Sequence, residues 1–594
     1  MGTGYAESRA KRFSLEFVKH LCIIRYDSMA NGGRSLERPK TVQLQVSKTI
    51  QMQKKRLLSV LIACCFAGLV FGPGCSPEHY KTEADEEVYG ILDAKWGEGL
   101  GSKVNYRISD VTAGPNDLAP RHTLPASGVL SLADAVALAT ANNRDYQTRK
   151  EQLYITALDL TLVRHSFVRQ WFGTIDAGYV SNMNEDSENF GERLEVDSQG
   201  TKLGFSQLLA DGAIISANIA IDWARFLTGD TRASLGSVLK ANITAPLLRG
   251  SGRRIAQENL TQAERNALYE IRSFNRFRKT FVVSIVSDYY RVLQQRDGVT
   301  NAENDYKRAV ESKDRLEMEA KAGRKNPYEV DQAEQRVLAA GDSLVRAKER
   351  YEQSLDEFKL RLVLPTDAEI ELDQNELKAL AELGISQPDY DLEEAVETAL
   401  NQRLDLATSR DQVDDAARKV AVEADSLGTQ LDLKGAMTVN STGDTDYSRL
   451  RFHDGIYTVG LEADLPFDRK SERNAYRKAM ITLERQHRKY ENDTDNVKLS
   501  VRDAYRELNK AAQTYKIQMN SLKLAQKRVE SNTLLLEAGR LTTRDLLDSQ
   551  DDLLTAQNQL TAALVGHIVA KLNFFRDIGV LQVRPDGMWE QGAR

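Results

Sequence analysis

The sequence predicts a mainly helical fold with a smaller group of β-strands, arranged as two tandem copies of one unit. Three observations predict it: blocks of residues that recur in the same order, two very long segments with helical spacing, and runs that alternate apolar and polar residues. Each long segment would extend roughly 100 Å at 1.5 Å per residue. Helices of that length exclude a single compact globular domain.

Matching blocks that recur in the same order indicate the duplication. The first pair shares apolar residues 260 positions apart: Leu132 with Leu392, Ala135 with Ala395, Val136 with Val396, and Ala139 with Ala399. The second pair is Ala322-Gly323-Arg324 and Ala538-Gly539-Arg540, 216 positions apart. The shorter second offset means that the first repeat carries 44 additional residues. The predicted divisions are repeats at 130–363 and 390–582, a connector at 364–389 and a tail at 583–594.

Alternating apolar and polar residues predict strands in the middle of each repeat. In the second repeat, Tyr457, Val459 and Leu461 alternate with polar or small residues, and two strands are predicted within 431–467. The first repeat is predicted to have four strands within 171–248, at about 171–181, 201–209, 212–224 and 235–245. Each last strand is expected to end at a proline, Pro246 or Pro466, which has no amide hydrogen for a strand ladder.

Helical spacing precedes the strands in both repeats. The segments 131–168 and 391–427 begin with Ser131 and Asp391, whose side chains are of the types that cap helix N-termini.

The strands are followed by the two long helices, predicted at about 254–320 and 471–537. Their apolar residues form a narrow stripe suited to packing against another helix. Gly323 and Gly539 come directly after these helices, in the position of a C-terminal cap. Return helices are predicted at about 327–363 and 543–577.

The first 75 residues have the features of a sorting segment, and we exclude them from the fold. A basic start, an apolar run at 57–71 and the pair Gly74-Cys75 predict a lipoprotein signal peptide at 52–74, with Cys75 as the acylated first residue. Cys64 is an alternative acylation site, and a transmembrane anchor is an alternative interpretation of the apolar run. Residues 1–51 are interpreted as a mis-assigned start or an atypical leader, and 75–129 as an N-terminal extension.

The composition gives no sign of catalysis, a bound metal or a nucleic-acid partner. The formal net charge of −6 provides no general attraction to polyanions. The seven histidines lie far apart and no cysteine follows Cys75, so metal-ligand spacing is missing from the sequence. Gly250-Ser251-Gly252 precedes a helix as a phosphate loop would, but it lacks the third glycine and the Lys-Ser/Thr pair. We interpret it as a strand-to-helix joint and the chain as a non-enzyme without cofactors.

Strands with one apolar and one polar face form either half of a soluble sandwich or the wall of a membrane barrel. The export signal favours the barrel, and so do ionisable residues such as Asp432, Lys434 and Glu462 on the polar face, which suit a water-filled interior. Four to six strands cannot close a membrane barrel, which needs at least eight. Several chains are therefore expected to share one barrel.

The order of helix, strand pair, proline, long helix, Ala-Gly-Arg turn and return helix, present twice, resembles the TolC-like outer-membrane efflux family. The closest type is the OprM-like, lipid-bearing one, and the resemblance covers about 130–582. It implies a homotrimer in the outer-membrane lipid, with a twelve-stranded β-barrel and a helical α-barrel across the periplasm. The extension 75–129 would lie in the periplasm.

The resemblance also implies partners. A periplasmic adaptor (membrane fusion) protein and an inner-membrane RND or ABC transporter would dock at the periplasmic end, and Cys75 would carry an acyl chain such as palmitate. The enlarged strand region at 171–248 departs from the family pattern. It leaves two interpretations open: additional strands in the barrel, or an extracellular extension.

The family's periplasmic gate corresponds to residues at the tip of the second hairpin. Asp545 and Asp548 occupy its inward acidic positions, and their i, i+3 spacing would let three chains form two carboxylate rings. The alternative is that both are ordinary exposed aspartates, favoured at a helix start by the helix dipole. Glu329 matches the acidic member of the closed-state links, with Arg540 or Arg544 as possible partners.

The tips of both hairpins are the implied contact surface for the adaptor. This surface comprises Gly323, Arg324, Gly539 and Arg540.

The implied function is that of a passive exit duct in a tripartite efflux or type I secretion system. Two alternatives of other classes remain. A periplasmic adaptor would have a single hairpin, and an elongated coiled-coil structural protein would lack alternating strands that end at Pro246 and Pro466. The sequence identifies neither the cargo nor the pump.

Overall fold

The computed structural model describes residues 76–97, 100, 103, 105–108, 128–182, 191–196, 201–226, 233–385, 390–442, 446–465, 467–584 and 589–591. The expected leader at 1–51, the signal peptide at 52–74, Cys75 and Pro466 lie outside these residues. The chain divides into two compact units, Met1–Thr82 and Glu83–Arg594, and the fold below is that of the second unit.

Helices account for most of the described chain. In chain order they are α1 (Pro77–Lys95), α2 (Leu132–Asn142), α3 (Arg144–His165), α4 (Arg253–Ala256), α5 (Glu258–Lys321), α6 (Pro327–Arg361), α7 (Asn375–Leu383), α8 (Leu392–Gln402), α9 (Leu404–Ser426), α10 (Lys470–Glu537) and α11 (Thr543–Ile578). Within this part of the chain, none of the helices combines the length and the apolar character needed to cross a membrane.

The strands form one large sheet and two small pairs. In chain order they are β1 (Val129–Leu130), β2 (Gln170–Thr174), β3 (Ala177–Asn182), β4 (Gly191–Val196), β5 (Lys202–Leu208), β6 (Ile214–Phe226), β7 (Ala233–Pro246), β8 (Glu371–Leu372), β9 (Gln430–Thr442), β10 (Asp446–Leu450), β11 (Ile456–Asp464), β12 (Leu581–Val583) and β13 (Trp589–Gln591). β1 pairs with β8 in parallel, and β12 pairs with β13 in antiparallel.

Each repeat opens with two short helices rather than the single helical segment that its spacing indicates. The Ser131 hydroxyl accepts a hydrogen bond from the amide of Asp134 (3.2 Å), and the Asp391 carboxylate accepts one from Glu394 (2.7 Å), so both predicted N-caps are confirmed. The breaks lie at Asn143 and at Arg403, 260 positions apart, where the backbone is extended. An extended residue interrupts a helix although the apolar spacing continues past it.

The large sheet has nine strands, and all of its pairs are antiparallel. One path through it runs β2–β5–β6–β7–β9–β11. The remaining strands continue it at one end, where β3 pairs with β4, β4 with β6 and β10 with β9.

The first repeat has six strands where the alternation predicts four. The predicted strand at 171–181 is broken at Ile175 and Asp176 into β2 and β3, and Thr201 lies opposite the break. The amide of Asp176 donates to the Thr201 hydroxyl (2.8 Å), which donates to the Asp176 carbonyl (3.0 Å). A side chain thus replaces ladder hydrogen bonds at the irregularity. β4 lies at 191–196, where the alternation predicts no strand, and β10 is an additional short strand in the second repeat.

The strand-to-helix joint after β7 is built on two glycines with positive φ, Gly250 (79°) and Gly252 (88°). The amide of Gly250 donates to the carboxylate of Asp425 (2.7 Å), and the amide of Gly252 donates to the carbonyl of Asp211 (3.1 Å). The structure therefore confirms that Gly250-Ser251-Gly252 is a joint, and it shows that the joint holds α9 and the turn before β6.

The long helices are close to their predicted bounds: α5 spans Glu258–Lys321 and α10 spans Lys470–Glu537. Small buried residues at intervals of seven form the seam between α5 and α6; they are Ala302, Ala309, Ala333, Ala340 and Ala347. Small side chains in a heptad pattern let two helices pack closely along their length.

The largest apolar cluster lies where the short helices of both repeats pack against the long ones. Its largest fully buried side chains include Tyr146, Phe274, Tyr289, Phe358 and Phe574. Neighbouring rings meet edge to face: the Tyr146 and Phe274 centroids are 5.8 Å apart, and those of Tyr289 and Phe358 are 6.1 Å apart.

We expect Gly212→Ala to destabilise the joint. Gly212 has φ +96°, and an added Cβ would lie 2.9 Å from the carbonyl oxygen of Gly250. Backbone strain and overlap should lower stability by about 1–3 kcal/mol, seen as a lower melting temperature in detergent. Gly90→Ala is the control, because Gly90 is exposed in a helix with no atom near its Cβ position. Equal melting temperatures for the two variants would contradict the expectation.

Candidate functional site at the hairpin tips

The α5–α6 and α10–α11 hairpins end in turns of the same geometry. Gly323 has φ +72° and Gly539 has φ +71°. The amide of Arg324 donates to the carbonyl of Glu319, and the amide of Arg540 to that of Leu535, both at 2.9 Å. This is the hydrogen bond of a glycine-capped helix end, so the predicted C-terminal caps are confirmed.

The return helices begin differently in the two hairpins. α6 begins with Pro327. Proline has no amide hydrogen, but an amide in the first turn of a helix has no partner within the helix, so no hydrogen bond is lost. α11 begins with a capping box: the Thr542 hydroxyl accepts from the Asp545 amide (3.3 Å), and the Asp545 carboxylate accepts from the Thr542 amide (3.2 Å).

Both predicted gate aspartates lie in the exposed first turns of α11. The hydrogen bonds from the hydroxyl and the amide of Thr542 hold the pKa of Asp545 below its usual range. Asp548 lies 4.0 Å from the guanidinium of Arg544, and both side chains are mostly exposed. Within the single chain, Asp545 thus has a helix-capping contact, and Asp548 has only a loose ion pair with the residue one turn earlier.

Glu329 contacts a residue of the other hairpin, but it is neither of the arginines considered from the sequence. The buried Thr543 hydroxyl donates to the Glu329 carboxylate, and the ammonium of Lys325 lies 3.1 Å from the same oxygen. The Thr543 hydrogen bond, aided by Lys325, lowers the pKa of Glu329. Arg544 is paired with Asp548, as described above.

A second contact between the hairpins lies farther from the tips and is made of charged groups. Arg336 of α6 lies 2.7 Å from the carboxylate of Asp305 on α5 and 2.7 Å from that of Asp551 on α11. The Asp305 and Arg336 side chains are almost completely buried. Partial burial raises the pKa of Asp551, while Arg336 opposes that rise. One guanidinium therefore bridges two carboxylates from different hairpins.

Two hydrogen bonds between side chains continue this contact along α5 and α11. The amide of Asn301 donates to the side-chain oxygen of Asn558 (3.0 Å), and the Thr561 hydroxyl donates to the carboxylate of Asp297 (2.6 Å). Together with the Glu329 and Arg336 contacts, these four links form what we call the inter-hairpin ladder. It holds the two hairpins together within one chain.

Sequence reasoning missed Thr543 and the Arg336 bridge. A signal for the bridge was present, because Asp305 and Arg336 each lie three residues after a member of the alanine heptads, Ala302 and Ala333, where an apolar residue is usual. A charge in that position indicates a specific buried partner. Thr543 gave no signal, since the polar threonine at a helix start is explained by local capping.

A third polar cluster lies between α5 and α9. Asp415 accepts hydrogen bonds from Tyr269 (2.7 Å), Arg265 (2.9 Å) and Arg418 (2.8 Å). Burial alone would raise the pKa of Asp415, but hydrogen bonds from Tyr269, Gln262 and Arg418 outweigh it and lower the pKa. Burial and Asp415 raise the pKa of Tyr269 to about 12. These satisfied groups hold two helices together, and the described residues contain no cluster suited to a metal ion.

Comparison with known proteins supports the resemblance drawn from the sequence. Residues 395–565 match the family model described as outer membrane efflux protein. A search of curated protein sequences finds no match.

Several solved structures share the fold. CusC, a protein described as forming a transmembrane channel, superposes with a TM-score of 0.54 at 14% identity, covering 81% of this chain and 99% of CusC. VceC, an outer membrane protein of Vibrio cholerae, gives 0.54 at 13% identity, with 75% and 96% covered. The CmeC outer membrane channel of Campylobacter jejuni gives 0.53 at 14% identity, with 75% and 85% covered. The predicted TolC-like fold is confirmed.

We expect Glu329→Gln to loosen the tips. Loss of a charge-assisted hydrogen bond should cost about 1–2 kcal/mol locally and speed amide exchange in 322–330 and 538–546 at pH 7. Folding lowers the pKa of Glu329 below 4.5, so its stabilisation is complete above about pH 4.5 and is lost as the pH falls through the lower folded-state pKa. Melting temperatures from pH 3 to pH 6 should therefore depend less on pH in the variant.

Glu334→Gln is the matched control, because Glu334 is exposed on the same helix. If both variants exchange alike, the Glu329–Thr543 link contributes nothing to tip closure.

Proposed function

On the premise that the chain has the TolC-like channel fold and carries an outer membrane efflux protein segment, we propose that it is the exit duct of a tripartite efflux or type I secretion system. Three copies would form a passive channel from the periplasm through the outer membrane, with no catalytic step. A pump and an adaptor would deliver the cargo to its periplasmic end.

The observation that carries this proposal is the continuity between a two-faced sheet and two long helical hairpins. In each repeat the last strand, β7 or β11, is followed by a long helix, α5 or α10, of at least 64 residues, which begins within twelve residues of the strand. At 1.5 Å per residue these helices are about 100 Å long, enough to cross a periplasm-sized gap. Strands with one apolar face suit the membrane, and long paired helices suit a tunnel wall in water.

We propose Asp545 and Asp548 as the periplasmic gate. They are exposed on the first turns of α11, so in a trimer they are free to face a central axis. Carboxylates from three chains would repel one another and attract cations, and the capping box would keep Asp545 ionised and fixed in place. Opening would separate the carboxylates by moving the tips apart. The inter-hairpin ladder would oppose that movement.

The adaptor surface is proposed at the two tip turns. Gly323, Arg324, Gly539 and Arg540 are exposed, and the matching geometry of the turns would present one pattern six times around a trimer. The transporter, of RND or ABC type, would act through the adaptor.

The proposed location is the outer membrane, with the helices extending into the periplasm. A lipid on Cys75 would anchor the start of the mature chain to the same membrane.

The test of the proposed function uses the chain expressed from Met52 and extracted in detergent. We expect native mass spectrometry to give a trimer, and the trimer to conduct ions in a planar bilayer. A monomer that needs no detergent would overturn the proposal and favour a periplasmic adaptor or a structural coiled coil.

We expect the double variant Asp545→Asn, Asp548→Asn to weaken block by divalent cations in single-channel recordings. Removing up to six carboxylates from three chains removes the charges to which the cations bind. Block should weaken by at least about tenfold, the equivalent of 1.4 kcal/mol. Asp314→Asn, which removes one exposed carboxylate from α5, should leave the block unaltered. Unaltered block in the double variant would remove both residues from the gate.

We expect Cys75→Ser to abolish acylation of the mature protein. The measurement is the mass of its N-terminal peptide after expression in a Gram-negative host. Cys64→Ser tests the alternative site and should leave the lipid-modified peptide unchanged. Loss of the lipid in Cys64→Ser alone would move the acylation site to Cys64.

A further inference from the structure

We infer that the hairpin added in the first repeat, β2 to β5, is part of the membrane wall, so that each copy contributes six strands and the edge strands β2 and β11 pair with neighbouring copies. This inference rests on the proposed function, which supplies three copies. It extends that function by giving the width of the channel and the surface through which the copies join.

The first observation is that one face of the sheet carries an apolar row across all six strands and a second row without polar residues across five of them. The longest row has an apolar residue on every strand: Trp171, Phe205, Ala217, Ala241, Met437 and Tyr457. The row on one side of it is Gly173, Leu203, Ile219, Leu239 and Val439. The added strands β2 and β5 continue both rows without interruption. An extracellular extension in water would not need this face to remain apolar.

The second observation is that the opposite face is polar across the same strands. One row consists of Gln170, Ser206, Ser216, Asn242, Ala436 and Thr458. Farther along this face, Lys434 forms an ion pair with Glu462. Apolar and polar rows therefore alternate as they do in a membrane barrel with a water-filled interior. The added hairpin follows this alternation with three exceptions: Phe172 and Leu208 lie on the polar face, and Gln207 lies on the apolar face.

The third observation places the added hairpin at the same level as the others. The turn that joins β5 to β6, at 209–213, meets the joint between β7 and the helices. The amide of Gly252 donates to the carbonyl of Asp211 (3.1 Å), and the Cβ position of Gly212 is 3.2 Å from the ring of Pro246. The added hairpin therefore begins at the helical end of the sheet and runs beside the other strands.

Each edge of this sheet has one side open to pairing. Among the described strands, β2 pairs only with β5, and β11 pairs only with β9. Val459 is 83% exposed and Trp171 is 67% exposed, and neither β2 nor β11 contains a lysine or a proline. Six strands cannot close on themselves, because membrane barrels need at least eight. Exposed edge strands without lysine or proline are templates for strand addition.

Strand direction selects the partner. Every pair along β2–β5–β6–β7–β9–β11 is antiparallel, so the two edge strands run in opposite directions. When β11 of one copy lies beside β2 of the next, the new pair is again antiparallel. Neighbouring copies of this chain therefore complete the hydrogen-bond pattern at both edges, and every strand pair remains antiparallel.

The path β2–β5–β6–β7–β9–β11 has six strands. Three copies therefore give a barrel of eighteen, in place of the twelve that the resemblance implies. Barrel diameter grows roughly in proportion to strand number, so the channel would be about one and a half times as wide at the membrane.

Cysteine cross-linking tests the new pair in the full mature chain, whose other thiols are absent after Cys75. Thr458→Cys on β11 is combined with a cysteine on the same face of β2, in turn Gln170→Cys and Phe172→Cys, and on β3, Gly178→Cys. The three positions lie at different heights along β2 and β3, so the series tests different staggers between the strands of neighbouring copies. We expect a disulfide-linked trimer with at least one of them. The matched control combines Thr458→Cys with Ser216→Cys or Asn218→Cys on β6, and there the covalent trimer should be lost.

The outcomes separate this inference from the proposed function. A conducting trimer linked between β11 and β2–β3, with eighteen strands in the cryo-electron microscopy map, supports both. A conducting trimer linked between β11 and β6, with twelve strands, overturns the six-strand inference and leaves the proposed function in place. A dimer linked between β11 and β2 overturns the eighteen-stranded barrel. A monomer overturns both proposals.

Discussion

A strand whose amide and carbonyl groups lack partners is costly in hydrocarbon, where each such group loses several kcal/mol. Among the described residues, the nine-stranded sheet ends in β2 and β11, each of which pairs with a strand on one side only. In the proposed assembly the open sides of both strands must be paired. One chain has too few strands to pair them by closing a barrel on its own. In the proposed trimer, the sheet edges therefore determine how the copies join, and the helices follow from the sheet.

The glycine joint after β7 connects this sheet to the helices. Gly250 and Gly252 take backbone conformations that other residues rarely adopt, and their amides hold Asp425 and Asp211. The added hairpin is tied to the joint through Asp211, while α9 of the second repeat is tied through Asp425. Both repeats and the inserted strands thus share one rigid connection at the end of the sheet.

At the other end of the helices, charged groups replace apolar packing. The Asp305–Arg336–Asp551 bridge and the Glu329–Thr543 link lie where an alanine seam would pack at no electrostatic cost. A buried ion pair contributes little net stability, but it penalises any arrangement that leaves one partner alone. Such contacts define one register of the hairpins. In a channel whose tips must part, a specific and moderately stable contact serves better than a large apolar one.

The amino-acid sequence by itself determined the tandem repeat, the long helices, their glycine ends and the alternation of the strands. These features depend on residues that are near in sequence, through periodicity, capping and turn geometry. The tertiary structure decided the break at Ile175 and Asp176, the pairing of the added hairpin with β6, and the partners of Glu329 and Arg336. Those contacts join residues up to 215 positions apart. Local patterns do not specify which distant groups meet, because that depends on how the elements pack.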